Sequence, residues 1–226
     1  MKIKRELAYP LAIGSPVPII GRIKECADLI GPGRRLLDVG CSSGWLATIV
    51  MNKGYRSYVG VDRTILGPIQ TNMQANFVEG SVFALPFESG SFDSACLFDV
   101  VEHLPRGTEE LALREVHRVL ANGGRLYFSA PHASVIHTPL DPVWILGHRH
   151  YRRSTISTLL QSVGFKLEVM FVAGGVAECA DHIRLLVNKH ILHRPHSPIE
   201  SVNRLIDASH GRNRRLGMTV FVTASR

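Results

Sequence analysis

The stretch Leu36-Leu37-Asp38-Val39-Gly40-Cys41-Ser42-Ser43-Gly44 decides the fold. A short apolar run with one acid enters a glycine-rich turn, and Leu46, Ile49 and Val50 follow at helical spacing until Gly54. The order is strand, turn, helix. Such a turn brings backbone close to a ligand, and the helix start offers unpaired N–H groups there. Gly40 and Gly44 suit that use, and Ser43 is placed to cap the helix. Ser42 stands between the glycines and tolerates the turn only at negative φ, so it brings strain or a small change of geometry. Next comes Ser57-Tyr58-Val59-Gly60-Val61-Asp62, a strand ending in an acid 22 residues beyond Gly40. At that separation a carboxylate can accept hydrogen bonds from a ribose hydroxyl pair. Turn and acid together suggest an adenosine-containing cofactor, although nicotinamide-dependent dehydrogenases share this pattern.

Working outward, Ile20, Ile23, Ala27 and Ile30 predict a helix from Pro16 to Ile30 that covers a sheet, closed by Gly31-Pro32-Gly33. Asn76 to Glu79 and Phe92 to Phe98 read as the third and fourth strands. Thr108 to Leu120 is an amphipathic helix with Glu109 and Glu110 in its first turn and Arg114 and Arg118 later. Asn122-Gly123-Gly124 terminates it, and Arg125 to Ala130 is the fifth strand. A further helix begins at Ser154, with Ile156, Leu159, Leu160 and Val163 on one face. Phe165 to Phe171 and Met218 to Thr223 are the last two strands. Strands alternating with helices predict an α/β fold with a doubly wound, seven-stranded, mostly parallel sheet. Residues 174–215 form a helical insertion before the last strand, with one helix around Asp181 to Leu192 and another opened by Ser197-Pro198-Ile199-Glu200, a capping box.

With 226 residues and 45% hydrophobic content, the chain can bury a sizeable core. No apolar run approaches the roughly 18 residues of a membrane-spanning helix, and the start lacks a secretory signal, so a cytoplasmic location is expected. Cys26, Cys41, Cys96 and Cys179 lie far apart with no CxxC pair, which points away from a zinc site or disulfide framework. The charge is uneven. Residues 1–144 hold 14 Lys/Arg against 14 Asp/Glu, and residues 145–226 hold 12 against 5, so the net +7 belongs to the last third. A basic surface there attracts phosphate, nucleic acid or an anionic membrane, or simply aids solubility.

The remaining motifs are Glu79-Gly80-Ser81-Val82-Phe83-Ala84-Leu85-Pro86-Phe87, Ser91-Phe92-Asp93 and Val100-Val101-Glu102-His103-Leu104, followed by Ala121 to Gly124, His150-Tyr151-Arg152 and Gly164-Phe165. From Leu36 to Phe171 the chain strongly resembles class I S-adenosylmethionine-dependent methyltransferases of the type 11 group, which includes the ubiquinone and menaquinone biosynthesis methyltransferases. The resemblance implies a Rossmann-like methyltransferase fold with S-adenosylmethionine as cofactor. It further implies that Asp38 and the backbone of Gly40, Cys41 and Gly44 hold the methionine end. Asp62 would bind the ribose, and Arg63 would lie beside the adenine. Ser81 stands where the family often has an adenine-binding Asp, Val82 would offer its backbone N–H to the ring, and Phe98 its carbonyl to the cofactor's amino group.

The sulfonium methyl is already electrophilic, so the protein must chiefly align a nucleophile behind it. A phenol, alcohol or amine acceptor also profits from a general base near neutral pH, for which His103, His132, His148 and His150 are candidates. His103 and His132, after the fourth and fifth strands, belong to the carboxyl edge of the sheet where open α/β folds bind substrates. For any one of these histidines a structural role, such as a hydrogen-bonded loop anchor, outweighs a catalytic one. The His148-Arg149-His150 cluster near Asp141 lacks a convincing metal-ligand set. The insertion is the candidate substrate cap. Its stripe of Ile183, Leu186, Val187 and Ile191 is explained most simply by packing against the core, and more sharply by an amphipathic helix on a membrane. The expected acceptor is therefore a small molecule or a lipid-linked one, methylated on O, N or C. An NAD(P)-dependent oxidoreductase and a non-catalytic S-adenosylmethionine-binding module are the alternatives. Nucleic acid is not favoured, because no Asn-Pro-Pro-Tyr-type motif or RNA-binding module is present.

Overall fold

The computed structural model describes residues 19–65, 75–134, 138, 141, 144, 147–194, 199–210 and 217–226. Seven strands form one sheet in the order β3-β2-β1-β4-β5-β7-β6. They are β1 (Arg35–Val39), β2 (Ser57–Asp62), β3 (Ala75–Glu79), β4 (Phe92–Phe98), β5 (Leu120–Pro131), β6 (Lys166–Ala173) and β7 (Thr219–Ser225). The first five pair in parallel, and β7 runs antiparallel between β5 and β6. The described helices are α1 (Gly21–Leu29), α2 (Trp45–Asn52), α3 (Glu109–Val119), α4 (Arg153–Ser162), α5 (Val176–His190) and α6 (Glu200–His210).

The apolar runs in β1, β2 and β5 do not alternate with polar residues because both faces of the sheet are covered. Successive side chains still point to opposite faces, so each strand supplies two cores. Leu37, Val39, Val59, Val61, Leu126 and Phe128 pack with Ala112, Leu113 and Val116 of α3 and Ile156 and Leu160 of α4. Leu36, Tyr58, Cys96 and Tyr127 pack on the other face with Leu46, Ala47 and Val50 of α2. Near the latter face, Cys26 of α1 joins Ala173 and Phe221.

Several local expectations change. Helix α1 begins at Gly21 with Ile20 as its N-cap, and positions 16–18 lie outside the described residues. Gly44, not Ser43, caps α2, and it does so with φ +70° and no side-chain bond. Strand β5 starts directly after α3, so Ala121 to Gly124 lie within it; a register shift between Phe92 and Ser94 of β4 absorbs the irregularity. Helix α5 begins five residues earlier than Asp181, while Ser197 and Pro198 of the expected capping box lie outside the described residues.

The loop before α4 is fastened by Arg149. Its guanidinium donates to the carbonyls of Val101 and Leu104 (2.5 and 2.6 Å) and pairs with buried Glu109, while Tyr151 Oη donates to Val101 O at 3.0 Å. The short 3-10 turn Val101–His103 is thus held from below. Removing one partner of such a pair leaves an uncompensated buried charge. Arg149→Met should lower the unfolding free energy by about 3 kcal/mol or more in urea titrations. A change below about 1 kcal/mol would show that the pair behaves like an exposed one.

Candidate functional site

The glycine loop is tied to the ends of two strands. Gly40 N and Cys41 N both donate to Val61 O (2.7 and 3.1 Å), Ser42 N donates to Asp62 Oδ2 (2.9 Å), and Gly44 N closes the turn on Cys41 O (2.8 Å). Gly40 adopts φ +78°, and a Cβ there would lie 2.5 Å from Val100 Cγ2. The loop therefore runs alongside the segment that leaves β4, and only glycine fits. Ser42 sits at φ +48°, so the turn resolves its irregularity as left-handed strain, not as a negative φ.

Asp62 is half-buried at the end of β2, and among the described residues its Oδ1 has no partner. One carboxylate oxygen organises the loop and the other is left unengaged by the described residues. Arg63 beside it is exposed. Ser81 Oγ accepts from Phe83 N (3.2 Å) and Val82 is buried in the tight Ser81–Ala84 turn. Phe98, half-buried, pairs with Ser129 of β5 at the carboxyl end of β4. Asp38, Gly40, Cys41, Gly44, Asp62 and Phe98 thus gather at the carboxyl ends of β1, β2 and β4. These residues fit an adenosine-type cofactor: the glycine turn has no room for a Cβ, and a carboxylate oxygen is unengaged beside it.

Asp38 is buried and accepts from Tyr58 Oη at 2.5 Å. Burial raises its pKa to about 7; the Tyr58 hydrogen bond opposes this and the charge of Asp62 adds to it. The folded state therefore keeps a proton that an ordinary carboxylate, at 3.8, would release. For an acid with a raised folded pKa, stability falls as pH rises from the unfolded to the folded value, here from about 4 to about 7. Asp38→Asn should remove this fall, with the difference from wild type growing by up to about 1.4 kcal/mol per pH unit in that window. Parallel profiles of the two proteins in denaturant would refute it.

Beyond the end of β4 the structure adds residues that the motifs did not mark. Asp99, directly after β4, has φ +53°, accepts from Ser129 Oγ (2.9 Å) and forms an ion pair with Arg22 of α1 (2.6 Å). Asp99 keeps the Arg22 guanidinium firmly charged. Glu102 is buried with Oε2 unpartnered, and burial followed by the charge of Asp99 pushes its carboxyl well above the usual range. Glu178 of α5 and His210 of α6 meet at 2.9 Å. Burial would raise Glu178, but the hydrogen bond and charge of His210 outweigh it and hold it low. Only long-range packing brings these together; the one sequence signal was the isolated acid in Phe98-Asp99.

His103 is half-exposed at this edge, its ring edge-on to His148 with 4.6 Å between centroids. Burial and then His148 lower its pKa, favouring the neutral imidazole. Glu102 Oε1 lies 4.0 Å from His103 Nε2. Both shifts run away from the charged forms, which disfavours an ion pair across this contact. His132 is buried, its Nδ1 2.7 Å from Gly217 O, which ties the end of β5 to the entry of β7. His150 is engaged by Asp141 at 3.0 Å, and no three metal-ligating side chains converge among the described residues. A shallow groove lined by Arg34, Arg35 and Arg56 opens at the amino edge of the sheet, away from all of these groups.

Five parallel strands joined to an antiparallel seventh, with a glycine loop facing an acid at the end of β2, define a Rossmann-like methyltransferase fold. Residues 37–128 match the family model described as a methyltransferase domain, type 11. The chain is similar to an uncharacterized methyltransferase of Mycobacterium tuberculosis, with 38% identity over 106 residues covering 43% of this chain and 39% of that protein. A ubiquinone/menaquinone biosynthesis C-methyltransferase of Rhizobium meliloti is 35% identical over 116 residues, covering 44% and 43%. The alignments thus span about two-fifths of these curated relatives. Among solved structures, an S-adenosylmethionine-dependent methyltransferase from Mesorhizobium loti shares the fold with a TM-score of 0.59 and 19% identity, over 90% of this chain and 97% of that one.

Proposed function

We propose that this chain transfers the methyl group of S-adenosylmethionine to a small-molecule or lipid-linked acceptor. The observation that carries the reading is Asp62, which spends one carboxylate oxygen on the glycine loop and keeps the other for a ribose hydroxyl. Asp38 and the backbone of Gly40, Cys41 and Gly44 face the methionine end. Arg63, Ser81 and Val82 flank the adenine, and the Phe98 carbonyl meets the amino group. A nicotinamide dehydrogenase is disfavoured by the strand order, in which antiparallel β7 is inserted between β5 and β6, whereas the classic dinucleotide-binding sheet runs 3-2-1-4-5-6.

The bound cofactor supplies an electrophilic methyl on sulfur. His103, neutral near pH 7, accepts the proton that an O–H or N–H acceptor releases as it attacks. Arg22 and Asp99 fix the walls of the acceptor side, and α1 with α5 and α6 forms its cap. His132 holds the floor of that cap through Gly217.

Calorimetry with S-adenosylhomocysteine, S-adenosylmethionine and NADH tests the cofactor. Asp62→Ala should weaken S-adenosylhomocysteine by at least roughly tenfold, consistent with loss of charge-assisted hydrogen bonds; unchanged affinity, or binding of NADH alone, would sink the reading. Once an acceptor is found by mass spectrometry, His103→Gln should reduce kcat about 100-fold and flatten the acidic limb of the pH profile, leaving S-adenosylhomocysteine affinity unaltered. A variant with wild-type kcat would remove His103 from the chemistry. Cofactor binding without any methylated product across acceptors would favour a non-catalytic module.

A further inference from the structure

Three arginines at the amino edge of the sheet line a groove that methyl transfer does not use. Arg35 opens β1 and pairs in register with Ser57 of β2, and the amide of Arg56 donates to Arg34 O at 2.9 Å. Adjacent strand starts thus hold Arg34, Arg35 and Arg56 close together. With Ser57, Phe92 and Asp93 they line a groove of about 510 Å³, and small-molecule sites span roughly 300–1,000 Å³. All three arginines are exposed, and among the described residues none of their guanidinium groups has a carboxylate partner. Elsewhere Arg114, Arg118 and Arg125 are each matched by a glutamate. The acid of the groove, Asp93, is already engaged: its two oxygens accept the backbone amides of Arg34 and Arg35 at 3.0 to 3.2 Å. Arg35 Cζ lies 5.3 Å from the centre of the Phe92 ring, a contact that steadies its guanidinium.

Charge and surroundings select the ligand. Guanidinium groups present paired N–H donors that match the oxygens of a carboxylate or a phosphate. Three of them against the single charge of Asp93 call for a compact group with more than one negative charge. A phosphate monoester or a pyrophosphate carries that charge, and a lone carboxylate does not. A lipid surface is disfavoured, because the large apolar side chains that the described residues expose, such as Val176 and Ile183 of α5, lie outside the groove. A nucleic-acid strand is disfavoured as well: Phe92, the aromatic ring of the groove, is buried and offers no face on which a base could stack.

We propose that this groove binds a small molecule through a phosphate-monoester or pyrophosphate group held by Arg34, Arg35 and Arg56. Strand β1 runs from the groove to the glycine loop, and the five steps from Arg35 to Gly40 span roughly 16 Å. A ligand held by the arginines and one held by the loop therefore occupy separate places at opposite edges of the sheet. The site stands whether or not the chain transfers methyl groups.

The test is calorimetry of the full chain with sodium pyrophosphate in about 0.1 M salt. The expected result is one pyrophosphate per chain, bound more tightly than inorganic phosphate and equally well with S-adenosylhomocysteine present. Arg34→Gln/Arg56→Gln should weaken pyrophosphate at least tenfold and leave S-adenosylhomocysteine affinity as in the wild type. Arg34→Lys/Arg56→Lys, which keeps the charge and loses the paired donors, should recover only part of that loss. No pyrophosphate binding, or binding untouched by the glutamine variant, overturns the proposal. So does competition with S-adenosylhomocysteine, which would place the anion at the glycine loop, and so does a lysine variant that binds as tightly as the wild type. A single-stranded oligonucleotide or a phosphatidylglycerol vesicle bound more tightly than pyrophosphate through the same arginines also overturns it, the groove then being a contact for a polyanion. Failure of S-adenosylhomocysteine to bind at all bears on the methyltransferase reading alone.

Discussion

The site depends on one short turn being held by amides at the ends of neighbouring strands. Gly40 and Cys41 share the Val61 carbonyl, and Ser42 donates to Asp62, so the loop after β1 cannot move without β2. On the other side Val100 fills the space that a Cβ on Gly40 would need. Three strand ends are thereby locked around a single backbone turn. Left-handed strain at Ser42 and Asp99 is tolerated because the surrounding bonds and packing over-determine both positions.

Around that turn the electrostatics divide the edge in two. The edge around the glycine loop holds Asp38 and Asp62, with burial favouring a proton on the former. The edge beyond β4 holds an ion pair, Arg22 with Asp99, and a buried acid, Glu102, beside His103, whose pKa burial lowers. Burial discourages net charge except where a partner is in contact, which is why His210 holds the Glu178 carboxyl low while burial pushes that of Glu102 up. Helix α5 and the end of β4 share a charge network through Arg22, which feels both Asp99 and Glu178.

Much of the fold was legible in the residues. Periodicity marked all seven strands and the helices that cover them, because a two-sided sheet needs continuous apolar runs and its helices need one apolar face. The boundaries moved where local signals compete with long-range pairing. Asn122-Gly123-Gly124 reads as a helix stop, yet hydrogen bonding to β4 draws Leu120 to Gly124 into β5. Ser43 looks like a cap, but the turn ends in a left-handed Gly44 that takes the capping position. The stripe on α5 reads equally well as core or surface, since helical spacing records a face and not what covers it.

For the site, the loop from Asp38 to Gly44, the acid at Asp62 and the Leu85 to Leu104 series were readable because they are local: a turn chemistry, a strand end, a fixed separation. These features by themselves determined the fold class and the kind of cofactor. The pairing of Arg22 with Asp99, the burial of Glu102, the tethering of His132 to Gly217 and the outward face of α5 were decided only by the tertiary structure. Each joins positions far apart in the chain or depends on what lies over a surface, and neither spacing nor composition encodes the distance between side chains that meet only when the sheet closes.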